Sequence, residues 1–175
     1  MPSLLQTSAL TYVAGMALYA VAAALFIIGA IFDKEKASRI ALAAFCTAVC
    51  AHSASVVCLW IAVGHGPYMT RFEVLSSHIL VSAIIFAAGS LAWPWMRKLG
   101  PVAAPVILLA TGFVFFLPRS ALPLAPSLRS SWLVIHISFA WLAYGAYTVA
   151  CGCGITYLAK SRRGATAEAL GRLDE

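Results

Sequence analysis

Four histidines, His52, His65, His78 and His136, and one carboxylate, Glu73, are the side chains best suited to metal or proton chemistry, because each lies in or beside a long apolar run. An ionisable group in such a run is costly unless it faces a bundle interior, a wet cavity or a partner, so each marks a candidate site. His136 has the most informative company. On a helix turning 100° per residue, Trp132, Ala140, Ala143 and Tyr147 all fall within about 40° of it, so one face carries an aromatic, the imidazole, two small residues and a second aromatic. A flat apolar macrocycle held through an axial imidazole would suit that shelf, since histidine is a common protein ligand to haem iron. Helix packing or an interfacial aromatic belt produces the same stripe. His52 falls near the middle of an apolar run and His65 in a loop, and each can equally serve as a hydrogen-bonding group between helices. Cys46, Cys50, Cys58, Cys151 and Cys153 all fall inside apolar runs, where a thiol behaves as a small hydrophobe. Cys151-Gly-Cys153 is too close for the usual redox spacing, and Cys46 and Cys50 merely share a helix face.

The elements that must position these groups follow from composition. The chain has 175 residues, 62% hydrophobic and 10% charged, against about 25% charged in soluble domains. Its apolar runs predict an all-α, polytopic membrane bundle with five spans, at 9–31, 40–63, 73–95, 101–117 and 132–158, and a tail over 159–175. The first run is followed by Asp33-Lys34-Glu35-Lys36 and lacks a small-residue cleavage site, so it is expected to be an anchor rather than a removed signal peptide. One set of connecting segments holds nine basic residues, Lys34, Lys36, Arg39, Arg97, Lys98, Lys160, Arg162, Arg163 and Arg172; the other holds Arg71, Arg119 and Arg129. The positive-inside rule then puts the N-terminus outside and the C-terminal tail in the cytoplasm. The net charge of +6 is explained by these flanking loops, not by a nucleic-acid surface. Glu73 is the one acidic residue at an outer boundary, placed to cap the third helix or to hold a ligand or loop. Pro118, Pro123 and Pro126 exclude a continuous helix before the last span. That span is longer than a bilayer requires, and its first turns are expected to project beyond the lipid.

The segment Pro126-Ser-Leu128-Arg-Ser130-Ser-Trp132-Leu133-Val-Ile-His136-Ile-Ser138, with Tyr144 eight residues on, resembles the CcsA/ResC-type cytochrome c assembly proteins, which handle haem in the membrane and deliver it outside. Gly66-Pro67 leading to Phe72-Glu73 is similar to a second family segment that opens a membrane helix. The resemblance covers about residues 40–175. It implies that His136 is an outer-side axial ligand of haem b, that Trp132 and Tyr144 pack near it, and that Pro67 to Glu73 form a rim. Tyr144 lies about 80° around the helix from His136, which suits a helix contact better than a haem contact.

In the family, a Leu-Asp segment like Leu173-Asp174 leads to a further helix and a tryptophan-rich haem loop with more histidines. The resemblance therefore implies a second polypeptide or a remaining portion carrying that half. It also implies a CcsB/ResB-type assembly partner and apocytochrome c as substrate, within a holocytochrome c synthase complex in the bacterial inner membrane. Trp93-Pro94-Trp95 does not replace the loop, because the charge pattern puts it at the cytoplasmic end. Two other readings stand beside this one: a haem b anchor subunit of a respiratory complex, using His52 and His78, and a scaffold without a cofactor.

Overall fold

The computed structural model describes residues 3–120, 122 and 124–162. Expectations about Pro123 and about the tail from Arg163 onward, including Leu173-Asp174, fall outside the described residues. The described chain is helical, and five helices are long and apolar enough to cross a membrane. They are α1 (Leu4–Ile31), α2 (Glu35–Val63), α3 (Arg71–Ala92), α4 (Gly100–Phe115, preceded by a 3-10 turn over Pro94–Leu99) and α5 (Ser131–Arg162).

Helix ends follow local chemistry. Ser3 and Gln6 form a reciprocal capping box on α1, and Thr70 and Glu73 form another on α3. Gly64 ends α2 at φ 73°, a left-handed conformation that glycine adopts without a Cβ clash. The third span was expected to run to Trp95, but α3 stops at Ala92. Pro94 disfavours helical geometry at the residue before it, and Trp93 is extended at φ −124°, ψ 106°. Trp93-Pro94-Trp95 therefore lies in the connection between two helices.

The pattern of burial is that of a protein in lipid. Leu10, Ile31, Leu109 and Phe116 point outward, while Ser8, His52, Ser55, Ser76, Glu73 and Thr111 are buried. Small residues let α1 and α2 approach closely, and a Cβ at Gly15 would sit 3.3 Å from the Ala48 carbonyl oxygen and the His52 backbone nitrogen. Ser8 Oγ donates to the Ser55 carbonyl at 2.9 Å and Ser55 Oγ donates to the Ser8 carbonyl at 2.7 Å, a reciprocal bridge between the two helices. Tyr12 Oη donates to the Thr111 carbonyl at 2.9 Å and ties α1 to α4. Around these bonds Phe86 meets Phe26 and Phe45 edge to face, and Tyr19 packs tilted against Phe45.

α5 is different. At about 1.5 Å per residue its 32 residues reach about 48 Å, well beyond a hydrocarbon core of about 30 Å. Of its residues whose side chains are described, only Gly145 and Gly152 are buried. It lies mainly against α3, where a Cβ at Gly145 would collide with the Ile85 side chain. Its opposite face is open.

Candidate functional site

His136 sits in the second turn of α5 on that open face, and it is exposed. Trp132, one turn earlier, is 78% exposed and Tyr147, three turns later, is 70% exposed, with Ala140 and Ala143 between them. The shelf expected from helix periodicity therefore exists as a surface facing away from the rest of the bundle. Nothing on the described residues closes over it.

Tyr144 does not belong to that surface in the same way. Its ring meets His78 of α3 edge to face, with centroids 4.7 Å apart, and Trp141 approaches the same imidazole at 6.4 Å. His78 Nδ1 donates to the Val74 carbonyl of its own helix at 2.8 Å. Its other ring nitrogen, Nε2, is buried and without a partner among the described residues. The contact fixes the rotation of α5 about α3, and with it the direction in which His136 points. Thus Tyr144 acts as a helix contact, as its 80° offset suggested.

Pro67 lies in the connection between α2 and α3 and Glu73 in the first turn of α3, and both are buried. One Glu73 oxygen, Oε2, accepts from the Met69 N–H at 2.8 Å and the Thr70 N–H at 3.3 Å, so the carboxylate serves the N-terminus of α3. The same oxygen lies 4.0 Å from His65 Nδ1. His65 itself joins two loops: Nδ1 donates to the Gly66 carbonyl at 2.9 Å and Nε2 donates to the Leu122 carbonyl at 2.8 Å. Carbonyls only accept, so both bonds are made at once only by the protonated ring. Burial disfavours that charge, yet the two carbonyls and the Glu73 carboxylate outweigh it and raise the His65 pKa above its ordinary value. The sequence offers His65 as a candidate site or as a hydrogen-bonding loop group and does not show its partner Leu122, which is 57 positions away.

The structure does not bring Pro67 and Glu73 onto the His136 surface. Pro67 lines a cleft with Val134, Ile137, Ser138 and Trp141 of α5. These four residues lie between about 100° and 160° from His136 around the helix. Arg119, which entered the sequence reading only through the charge count, folds back at the same end of the bundle. Its guanidinium stacks 4.5 Å from the Tyr12 ring and 4.6 Å from the Phe72 ring.

His52 and His78 do not face one another. His52 Nε2 meets Ser76 Oγ at 2.9 Å inside the α1–α2–α3 core, beside Tyr12 and Tyr19. Two residues past Ser76 is about 200° around α3, so His78 looks the other way, toward α5. A haem clamped between these two imidazoles finds no support in this arrangement. The five cysteines are free thiols, and no group of three or more metal-ligating side chains occurs among the described residues.

Comparison with known proteins adds an independent line. Residues 68–173 match the family model described as cytochrome C assembly protein. The chain is 31% identical over 157 residues to the cytochrome c biogenesis protein CcsA of Synechococcus sp. (strain CC9311), covering 86% of this chain and 51% of that protein. It is 28% identical over 133 residues to CcsA of Chlorella vulgaris, covering 74% of this chain and 42% of the relative. With CcsA of Synechococcus sp. (strain JA-3-3Ab) the identity is 33% over 144 residues, covering 77% and 40%. The chain thus spans about half the length of these relatives, or somewhat less. No solved structure matches it.

Proposed function

The chain belongs to the cytochrome c assembly family, and from that premise we propose that it holds haem b at the outer membrane surface for attachment to apocytochrome c. In this reading His136 supplies one axial imidazole. Trp132 and Tyr147 flank the macrocycle, and Ala140 and Ala143 leave room for its edge. The observation that carries the reading is the open α5 face: an exposed imidazole, set between two exposed aromatics, on a helix whose other side is fixed against α3. When bound, haem supplies an iron that accepts the imidazole lone pair and vinyl groups for thioether formation. The residues of this chain orient that group.

One imidazole from this chain would not by itself hold and cover the haem. The remaining ligand and the cover over the shelf would come from the half of the family length that this chain does not match, whichever polypeptide carries it. A CcsB/ResB-type protein and the reduced cysteines of an apocytochrome complete the proposed assembly. The nine-to-three distribution of basic residues supports an orientation with the His136 end outside and the Lys34 end in the cytoplasm, as in a bacterial inner membrane. Glu73 and Pro67 act as a rim that holds the neighbouring loops rather than as contacts to haem.

The test is His136→Ala, co-expressed with the rest of the assembly. Haem content and holocytochrome yield should each fall at least about tenfold, and added imidazole should restore part of the spectrum by occupying the vacant position. The helix should persist, since alanine is a good helix former and leaves no unpaired polar group. His52→Ala is the control, because His52 is buried against Ser76 and has no place in the proposed site. Wild-type haem in His136→Ala, with haem lost in His52→Ala, would overturn the proposal.

A further inference from the structure

The end of the bundle opposite His136 gathers the turn between α1 and α2 and the 3-10 turn before α4, because α1 and α3 finish there and α2 and α4 begin. Between these turns lies a cleft of about 640 Å³, within the range of about 300–1,000 Å³ that small-ligand sites occupy. It is lined by Asp33, Glu35, Arg39, Arg97 and Lys98, with Trp95 beside them. These charges are not equivalent. Arg39 donates to Glu35 through Nε and Nη2, so that pair neutralises itself. Arg97 is half-buried, and its Nε donates to the Ser90 carbonyl at 3.2 Å, which holds the root of the guanidinium against the end of α3. Its two terminal nitrogens have no acceptor among the described residues. Lys98 is exposed and, like Asp33, makes no ion pair among the described residues. Two free cations against one free carboxylate leave the cleft with one net positive charge. The chain next to these residues is apolar and exposed: Ile31 and Phe32 lead into Asp33, and Leu91 and Trp93 precede Pro94 of the lining. All of this sits where helices long and apolar enough to cross a membrane begin and end, the depth at which tryptophan and long basic side chains meet both lipid and water.

We propose that this cleft binds the head of a phosphatidylglycerol molecule from the adjoining leaflet, with its phosphodiester on Arg97 and Lys98 and its glycerol hydroxyls donating to Asp33. A phosphodiester carries one negative charge, so the occupied site is neutral. The guanidinium fork also matches phosphate oxygens in geometry, and basic pockets between membrane helices are where anionic headgroups bind. A phosphatidylcholine head brings no net charge and no hydrogen-bond donor for Asp33. Phosphatidylethanolamine supplies a donor but leaves the positive charge of the site uncompensated. A water-soluble phosphate ester gains nothing from the exposed Ile31, Phe32, Leu91 and Trp93. The proposal does not rest on the haem reading, because the cleft and His136 are at opposite ends of the bundle.

In native mass spectra of the full chain released from nonionic detergent, one phosphatidylglycerol should stay bound at concentrations at which phosphatidylcholine and phosphatidylethanolamine do not. Arg97→Gln should weaken that binding about tenfold, the size of one lost hydrogen bond to a charged group. Lys98→Gln changes an exposed side chain, should weaken it as well, and covers the case in which loss of the Ser90 bond keeps the arginine variant from folding. Arg129→Gln, at the other end of the bundle, should bind as the wild type does. Phosphatidylmethanol has the same charge but no head hydroxyl, and should bind about threefold more weakly than phosphatidylglycerol. Asp33→Gly keeps the left-handed backbone at φ 50°, removes the acceptor and should erase that difference. Equal retention of the three lipids, displacement of phosphatidylglycerol by an equal concentration of glycerol 3-phosphate, or binding unchanged in both Arg97→Gln and Lys98→Gln would each overturn the proposal.

Discussion

At His65 two backbone carbonyls and one carboxylate converge on a single buried ring, and all three favour its protonated form. The bond to Leu122 ties the α2–α3 connection to the segment that leads into α5. Because the folded pKa is raised above the ordinary value of 6.5, the stabilisation is fully present below the unfolded pKa and is lost as pH rises through the raised folded value. The melting temperature of the wild type should therefore exceed that of His65→Gln most clearly below about pH 6.5, with the gap narrowing as the pH is raised. Glu73→Gln removes the counter-charge and should shift the onset of that loss to lower pH, while the capping bond survives through the amide oxygen. A gap between wild type and His65→Gln that is flat in pH would show that His65 is not charged in the fold. The groups facing this imidazole are the Glu73 carboxylate and the neutral Tyr68 ring, so few other titrations complicate the profile.

Among the helices, the apolar runs showed the number of elements and their order, because only a long unbroken helix satisfies its backbone in lipid. The second span was expected to end at residue 63, where α2 does end, and Glu73 was expected to cap the third helix or to hold a ligand or loop; it serves the cap, though α3 begins at Arg71 rather than at residue 73. Lys34 to Arg39 were expected to lie in a loop, yet α2 starts at Glu35. Arg39 donates back to Glu35 through both Nε, at 3.1 Å, and Nη2, at 2.7 Å, which extends the helix beyond its apolar part. The periodicity of α5 was enough to group His136 with Trp132 and Tyr147. It was not enough to tell which side of α5 meets α3, since that depends on His78, Gly145 and Ile85, residues distant in sequence. The close approach of α1 and α2 at Gly15 was likewise invisible, because its neighbours are backbone atoms of Ala48 and His52. Gly15→Leu should force those backbones apart and lower stability by about 1–3 kcal/mol, read as an earlier unfolding midpoint in mixed micelles. A variant that unfolds with the wild type would mean that the two helices do not pack there.

The whole molecule is a four-helix body with a fifth helix laid along its flank. α1 to α4 bury Ser8, His52, Ser55, Glu73, Ser76 and Thr111 among themselves, whereas α5 leaves Trp132, His136, Phe139 and Tyr147 outward. A surface of that kind in a family member that spans about half the length of its relatives is where the account places its chemistry. Its central claim is that the His136 imidazole coordinates haem iron. The most direct test is the absorption spectrum of the assembled complex carrying His136→Cys, because a thiolate and an imidazole give the bound iron different electronic character. The account predicts a Soret band displaced from that of the wild type, with the helical content unchanged. A His136→Cys complex that retains full haem and an unshifted Soret band would contradict it.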